Sequence, residues 1–379
     1  MVVTVFLVTR NHDASLGAAL QSVAGFASEI LVVDTGSTDR TVEIAQQLGA
    51  RVLPFAWDDD FAAASNAAIA AARGEWLLWM NPDEEVEPAG IPALTRAIQT
   101  PDAFVWQLGV RQMRHPNDAS GVVDAQARLI RRDPALNLRG RLHPEFDPPL
   151  DELAARRNQS IGNVNAILRR HAYLSQPTPD KIRWVVRLLE RELGDRPGQL
   201  GFQIELGRNL LWLNDPRGHE LLGTAANEVR ARSGDAFPPS PWVGSLLEYV
   251  LSVSPAQYRG ALERAEARAL ADKWFPRTPP VLWAVASDRF LAGDFAAAVT
   301  LLERLLLLGR TGGYDGAGGF DPSIVGNSAA VNYGTCCLHL GRWSDARAAF
   351  ESVLNDPKHV EAARRGMRLA DLQQKPATR

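Results

Sequence analysis

The chain has 379 residues, of which 46% are hydrophobic and 22% charged, a composition ordinary for a folded globular protein. That length suits two domains of about 100–200 residues each. A formal net charge of -3 gives no electrostatic footing for nucleic acid or an anionic membrane surface.

The opening run Val2–Val8 is apolar but short, with no basic stretch before it, so it reads as a strand and not as a signal peptide. Leu16–Val23 has helical spacing. Glu29–Asp34 is a buried-type strand that ends on an acid. Thr41–Leu48 is helical, Arg51–Phe55 is a strand, and Phe61–Ala72 is an alanine-rich helix that Asp60 can cap. Glu75–Met80 is a further apolar run. Near-continuous apolar strands alternating with helices predict a mostly parallel sheet covered on both faces. In such sheets ligands bind at the carboxyl ends of the strands, where Asp34–Asp39 and Asn81–Glu84 fall.

Phe104–Val110 and Arg128–Arg131 read as later strands joined by the loop Arg114–Asp124, and Pro177–Asp180 reads as a linker. Beyond Lys181 nearly everything is helical. Gly334, Gly341, Ala346, Phe350, Val353 and Pro357 follow the pattern of a tetratricopeptide repeat, with small residues where helices touch and glycine at the turn. Ala286, Gly293, Ala298, Leu302 and Leu305 repeat that spacing, and the glycine-rich stretch Gly309–Gly319 between the two reads as a flexible insertion. The expected domains are 1–176, α/β, and 181–379, all-α and repeat-like. No apolar run reaches the roughly 18 residues of a membrane span. Cys336 and Cys337 are adjacent, which suits neither a disulfide nor a zinc site. A cytoplasmic protein is expected.

Four clusters could carry chemistry. In Asp34-Thr-Gly-Ser-Thr-Asp39 the first acid can accept hydrogen bonds from a base or ribose, Gly36 allows a tight turn, and Ser37 and Asp39 can cap the following helix. The same residues also suit a capped turn without a ligand. In Asn81-Pro-Asp-Glu-Glu85, acids at a strand end can hold a divalent cation, or can form a solvated turn. Asp58 and Asp59 read as helix N-terminal charge. Gly140-Arg-Leu-His-Pro-Glu145 puts an imidazole and a carboxylate two residues apart, and Arg128 can face a phosphate or decorate a strand.

Together, Glu29–Ala45, Gly49-Ala-Arg-Val52, Trp57–Asn66 and Gly74–Trp79 resemble the family-2 glycosyltransferases of GT-A (Rossmann-like) fold, in the subgroup with trailing tetratricopeptide-like helices. Arg128–Arg131, Gly140–Glu145 and His171-Ala-Tyr173 resemble later landmarks of the family. The resemblance implies a nucleotide-diphosphate sugar donor held by Asp34, Ser37, Asp39, Asn66, Asn81 and Arg128. It implies Asp83 as ligand to Mn²⁺ or Mg²⁺, with inverting transfer to a hydroxyl acceptor. Glu145 is the candidate base and His143 its assistant. A protein or glycan acceptor presented by the C-terminal helices is expected.

The chain departs from the family pattern in places. The first carboxylate of Asp-x-Asp is Asn81, an arginine is replaced by Ser65, a glutamate by His12, and Pro144 separates histidine from acid. Exchanging a charge-assisted hydrogen bond of about 1.5–3 kcal/mol for a neutral one near 0.5–1.5 weakens donor binding on the order of tenfold. The alternative reading is therefore a catalytically impaired glycosyltransferase-like scaffold.

Overall fold

The computed structural model describes residues 2–113, 123–171, 178–315 and 320–374. The expected loop over 114–122, Tyr173, the expected linker's first residue Pro177, and residues 316–319 of the glycine-rich stretch lie outside them. The chain divides into two compact units, Met1–Pro197 and Gly198–Arg379.

The first unit is built on an eight-stranded sheet. Its parallel half comprises β1 (Val3–Thr9), β2 (Glu29–Asp34), β3 (Arg51–Pro54) and β4 (Trp76–Trp79). Their runs are mainly apolar because helices cover both faces. The helices α1 (Leu16–Val23), α2 (Thr41–Gln47) and α3 (Phe61–Ala71) make the crossovers, and Asp60 caps α3 by accepting from the Ala63 amide at 2.8 Å. Leu7 and Val32 pack with Leu16, Leu20 and Ala45 on one face, while Phe6, Leu31 and Val33 pack with Ala64 and Ala68 on the other.

The other half of the sheet is mixed. It contains β5 (Glu84–Val86), β6 (Ala103–Gln112), β7 (Val123–Arg131) and β10 (Ser160–Arg170), and the order across the sheet is β3-β2-β1-β4-β7-β6-β10-β5. The strand β7 runs antiparallel to both β4 and β6, and β10 is parallel to β6, so β10 ends at the same edge as β4. A small hairpin, β8 (Leu138–Arg139) and β9 (Glu145–Phe146), stands apart from the sheet. Helix α4 (Ile91–Ala97) covers the first face, and α5 (Leu150–Arg156) packs on β10 and β6 on the other, in the same apolar cluster as α3. The result is a Rossmann-like parallel core with a mixed extension.

Helix α6 (Pro179–Asp195) was expected in the helical half but belongs to this unit. Thr178 caps it, and its first turn carries Lys181. Arg187 and Arg191 pair with Asp59 at 3.1 and 3.3 Å, and Trp184 packs edge-on to Phe61. The Glu192 carboxylate accepts from the Arg141 amide. Aspartate 59 is held at φ 54°, a left-handed conformation that Asp tolerates better than most residues.

The second unit is helical, from α7 (Leu200–Trp212), α8 (Arg217–Ala231), α9 (Val243–Ser252) and α10 (Arg264–Trp274) to α11 (Pro279–Leu291), α12 (Phe295–Thr311), α13 (Asn327–His339), α14 (Trp343–Glu351) and α15 (Val360–Gln374). The two repeat-like segments form the hairpins α11–α12 and α13–α14, which turn at Gly293 (φ 76°) and Gly341 (φ 72°). A Cβ at Gly334 would meet the Phe350 ring at 2.8 Å, which is why a small residue stands at that crossing. Among the described residues no helix is long and apolar enough to cross a membrane.

Candidate functional site

The parallel strands deliver their C-terminal residues to one edge. Thr9 and Asp34 are register partners at the ends of β1 and β2. Asp34 is buried, and its carboxylate accepts from the Gly36 and Ser37 amides at 3.2 Å. Gly36 turns at φ 97°, as its sequence position requires. Two such bonds leave a carboxylate further lone pairs for a ligand. Thr9 is 2% exposed, and its hydroxyl has no hydrogen-bond partner among the described residues. Such groups are uncommon in native structures and are associated with functional edges.

The loops after β1 and β2 are laced together. Ser37 Oγ accepts from the Asn11 amide at 2.9 Å, and Asn11 Oδ1 accepts from the Thr38 amide at 2.8 Å. Asp39, expected to cap α2, stands one residue before the Arg40 cap position and accepts from the Thr41 amide at 2.9 Å and from the Asp13 amide at 3.2 Å. Ser37 was expected to share that capping role but braces the β1 loop instead. Burial alone would raise the Asp39 pKa; the hydrogen bonds from Thr41 and Asp13 outweigh it and bring the carboxyl below its ordinary value.

His12 joins these loops to the Asn81–Glu85 segment. Burial pushes its pKa down, Asp83 and Asp39 pull it up, and Lys181 pushes it down again. His12 therefore lies within electrostatic reach of Asp83, Asp39 and Lys181.

The Asn81–Glu85 segment is closed by internal pairing. Asn81 donates its side-chain amide to Glu84 at 2.7 Å and its backbone N–H to the same carboxylate at 2.8 Å. Glu84, fully buried, also pairs with Arg128 at 2.8 Å. The Arg128 guanidinium sits over the Trp79 ring and donates to the Trp79 carbonyl and to Gln126. Arg128, expected to face a phosphate, is thus buried beneath the loop as the partner of Glu84. Sequence reasoning placed Glu84 within the acidic Asn81–Glu85 cluster but gave no sign of its burial or of its pairing with Arg128.

Asp83 is buried and meets Arg170, the last residue of β10, at 3.4 Å. The Asp83 carbonyl accepts from the His171 amide at 2.9 Å, and His171 Nε2 contacts Glu85 at 2.7 Å. Arg169 also pairs with Glu85 at 2.9 Å. Burial lowers the Lys181 pKa first; Asp83 raises it and Arg170 lowers it.

The expected Mn²⁺ or Mg²⁺ does not fit this donor set. Hard dications take oxygen ligands, one or two of them carboxylates even when substrate phosphates complete the shell. Here Asn81 and Glu84 are committed to each other, and the Asp83 carboxylate faces Arg170 within reach of Lys181. A dication there would meet the Arg170 guanidinium. Among the described residues no group of three His, Cys, Asp or Glu is placed to hold a metal.

Three expected residues lie elsewhere. Asn66, on α3, accepts from and donates to the Leu138 backbone, both bonds at 2.8 Å, and so serves as a clamp for β8. Glu145, on β9, is 57% exposed and lies 3.8 Å from Arg196. His143 is exposed in the turn between β8 and β9. Phe146 packs edge-on against Trp79 and brings this hairpin to the end of β4, but no described contact joins Glu145 to Asp83.

Comparison with known proteins adds independent findings. Residues 4–133 match the family described as Glycosyl transferase family 2. A TPR repeat-containing protein of Synechococcus elongatus is 30% identical over 223 residues, 56% of this chain and 53% of that protein. A protein of Rickettsia bellii named as an uncharacterized glycosyltransferase is 36% identical over 84 residues, 22% of this chain and 28% of its own. The chain therefore spans about half the length, or less, of these curated relatives. A crystal structure of S. aureus TarS 1-349 in complex with UDP-GlcNAc is 15% identical, covering 77% of this chain and 92% of that one at TM-score 0.40. Over residues 4–133 the chain is therefore similar to family-2 glycosyltransferase domains.

Proposed function

We propose that the protein is a glycosyltransferase that takes a sugar from a nucleotide-diphosphate donor and passes it to a hydroxyl acceptor. The observation that carries this reading is the placement of Asp34 and Asp39 in interlaced loops at the C-terminal edge of β1 and β2, where open parallel sheets bind ligands. The family match over residues 4–133 supports it. Asp34 has lone pairs to offer a base or ribose.

In the inverting reaction the acceptor oxygen attacks the anomeric carbon as the bond to the diphosphate breaks. The acceptor proton passes to a base, for which Glu145 is the proposed group, with His143 beside it in sequence. No step is routed through a metal ion. The hairpins of the helical unit offer extended surfaces and are the proposed binding element for a protein or glycan acceptor. Cys336 and Cys337, buried and unbridged, support a cytoplasmic setting.

A second reading, binding without transfer, is favoured by one observation: the Glu145 carboxylate lies near Arg196 in the described contacts. Release of nucleoside diphosphate from UDP-, GDP- and dTDP-sugars separates the two. Transfer requires release from one of them, falling about tenfold or more in Asp34→Ala and in Glu145→Gln. Thermal protection by a nucleotide with no release supports the binding protein. If a folded sample shows neither, both readings fail.

A further inference from the structure

We propose that Arg170 and Lys181 take the electrostatic place of the divalent cation, so that the donor diphosphate is bound and its departing charge stabilised without metal. This rests on the nucleotide-sugar reading above and deepens it.

The first support is the fate of the acids. Each acid of the loop after β4 has a cationic partner: Asp83 with Arg170, Glu84 with Arg128, and Glu85 with Arg169. The residue that would have completed an acidic pair is Asn81, whose amide is tied to Glu84. What remains for a dication is one carboxylate already facing a guanidinium.

The second support is how firmly the cations are placed. Arg170 is the register partner of Glu84 in the β10–β5 ladder, and the His171 amide holds the Asp83 carbonyl. The backbone that carries Arg170 is therefore fixed beside the loop on both sides. Its side chain is 42% exposed and touches Asp83 through Nε, and a guanidinium carries five donors in a fork that matches phosphate oxygens. Lys181 stands in the first turn of α6, and α6 is anchored by Arg187 and Arg191 on Asp59 and by Trp184 on Phe61. Its ammonium lies within electrostatic reach of both Asp83 and Arg170. Asp83 then orients Arg170 where a metal-binding site would use that acid as a ligand.

The chemistry is balanced without a further component. The bond between the anomeric carbon and the diphosphate oxygen breaks with both electrons going to the diphosphate. The charge that develops there is met by fixed cations in place of a metal. The acceptor proton leaves to the base as before.

The test uses the full chain. UDP, GDP and dTDP are titrated by calorimetry in EDTA and again in Mn²⁺, with wild type, Arg170→Met, Arg170→Lys and Lys181→Met, each checked for cooperative unfolding. Mn²⁺ alone is titrated into the protein and followed by electron paramagnetic resonance. The expected result is one nucleotide whose Kd agrees within about threefold with and without metal. Arg170→Met and Lys181→Met should each weaken it about tenfold or more, Arg170→Lys less, because a charge-assisted contact to phosphate is lost. Binding that appears only with Mn²⁺ overturns the metal-free assignment and leaves the donor reading standing. EDTA-resistant binding unchanged in both methionine variants overturns the role of these two cations. No nucleotide binding by a folded protein overturns the donor reading, and this inference with it.

Discussion

The side-chain amide of Asn66 and the backbone of Leu138 hold each other through two hydrogen bonds of 2.8 Å, across 72 positions of sequence. The amide imitates a strand neighbour and secures the β8–β9 hairpin that carries Glu145. Replacing it with Ala leaves a backbone N–H and C=O without partners in a half-buried place. The expected cost for Asn66→Ala is about 2–3 kcal/mol in urea unfolding, with nucleotide affinity changed by less than about threefold. Lost affinity with unchanged stability would mean that Asn66 contacts the donor after all.

Glu84 and Arg128 form a buried ion pair completed by Asn81, Gln126 and the Trp79 carbonyl. Removing one partner strands a charge in the interior, which costs about 3–5 kcal/mol, whereas replacing both with apolar groups is often near neutral. Glu84→Gln should therefore be strongly destabilising. The double variant Glu84→Leu/Arg128→Leu should recover much of that loss in a double-mutant cycle. Simple additivity of the two single variants would argue against the pair.

Asp59 holds α6 through Arg187 and Arg191 and receives the indole N–H groups of Trp57 and Trp184. Burial alone would raise its pKa, but the hydrogen bonds from Arg187 and Trp57 bring it below the ordinary aspartate value. A depressed folded pKa gives stability that is present above the unfolded value and lost as pH falls through the folded one. Asp59→Asn preserves size and tolerance of the left-handed backbone but removes the charge. Amides of α6 should then exchange faster with deuterium at neutral pH, and the wild type should approach the variant on acidification. Equal exchange in the two proteins at neutral pH would show that packing of Trp184 on Phe61 suffices.

The strands and helices of the first unit were legible because buried parallel strands are continuous apolar runs and the crossovers are short. Val2–Val8, Glu29–Asp34 and Phe61–Ala72 fall within a residue or so of β1, β2 and α3. The glycines Gly36, Gly293 and Gly341 marked left-handed turns that the structure contains. The pairings were hidden. Arg128 and Glu84 are 44 residues apart, and Arg170 and Asp83 are 87 apart. A charged residue on a strand looks the same in sequence whether it faces solvent, a ligand or a buried acid. The same limit applied to α6: the sequence beyond Lys181 read as helical, while Asp59, read as helix N-terminal charge, is what fixes this helix to the first unit.

Asp356 accepts from His359 at 2.6 Å and from Asn327 at 2.7 Å, joining the start of α15 to the start of α13, and His359 also contacts Ser328 at 3.0 Å. The hydrogen bond from His359, then those from Asn327 and the Lys358 amide, hold the Asp356 carboxyl at about 2 against an ordinary 3.8. The folded pKa lies below the unfolded one. Its contribution is therefore complete above about pH 4 and disappears as pH falls towards 2. Urea midpoints of wild type should fall across that window more steeply than those of Asp356→Asn. Parallel curves would place the acid sensitivity elsewhere.

Thr9 offers the opposite experiment, a substitution that should stabilise. Its hydroxyl is buried at the end of β1 without a partner among the described residues, and an unsatisfied buried polar group costs about 1–3 kcal/mol. Valine has nearly the same shape and a higher preference for strands. Thr9→Val should therefore raise the unfolding midpoint of the ligand-free protein. If the hydroxyl is retained because it meets the donor or a water held by it, the same variant should bind nucleotide more weakly. Greater stability with weaker binding identifies a group kept for function. Greater stability with unchanged binding would mean that Thr9 only borders the site. Lower stability would show that the hydroxyl is satisfied in solution, most simply by a buried water.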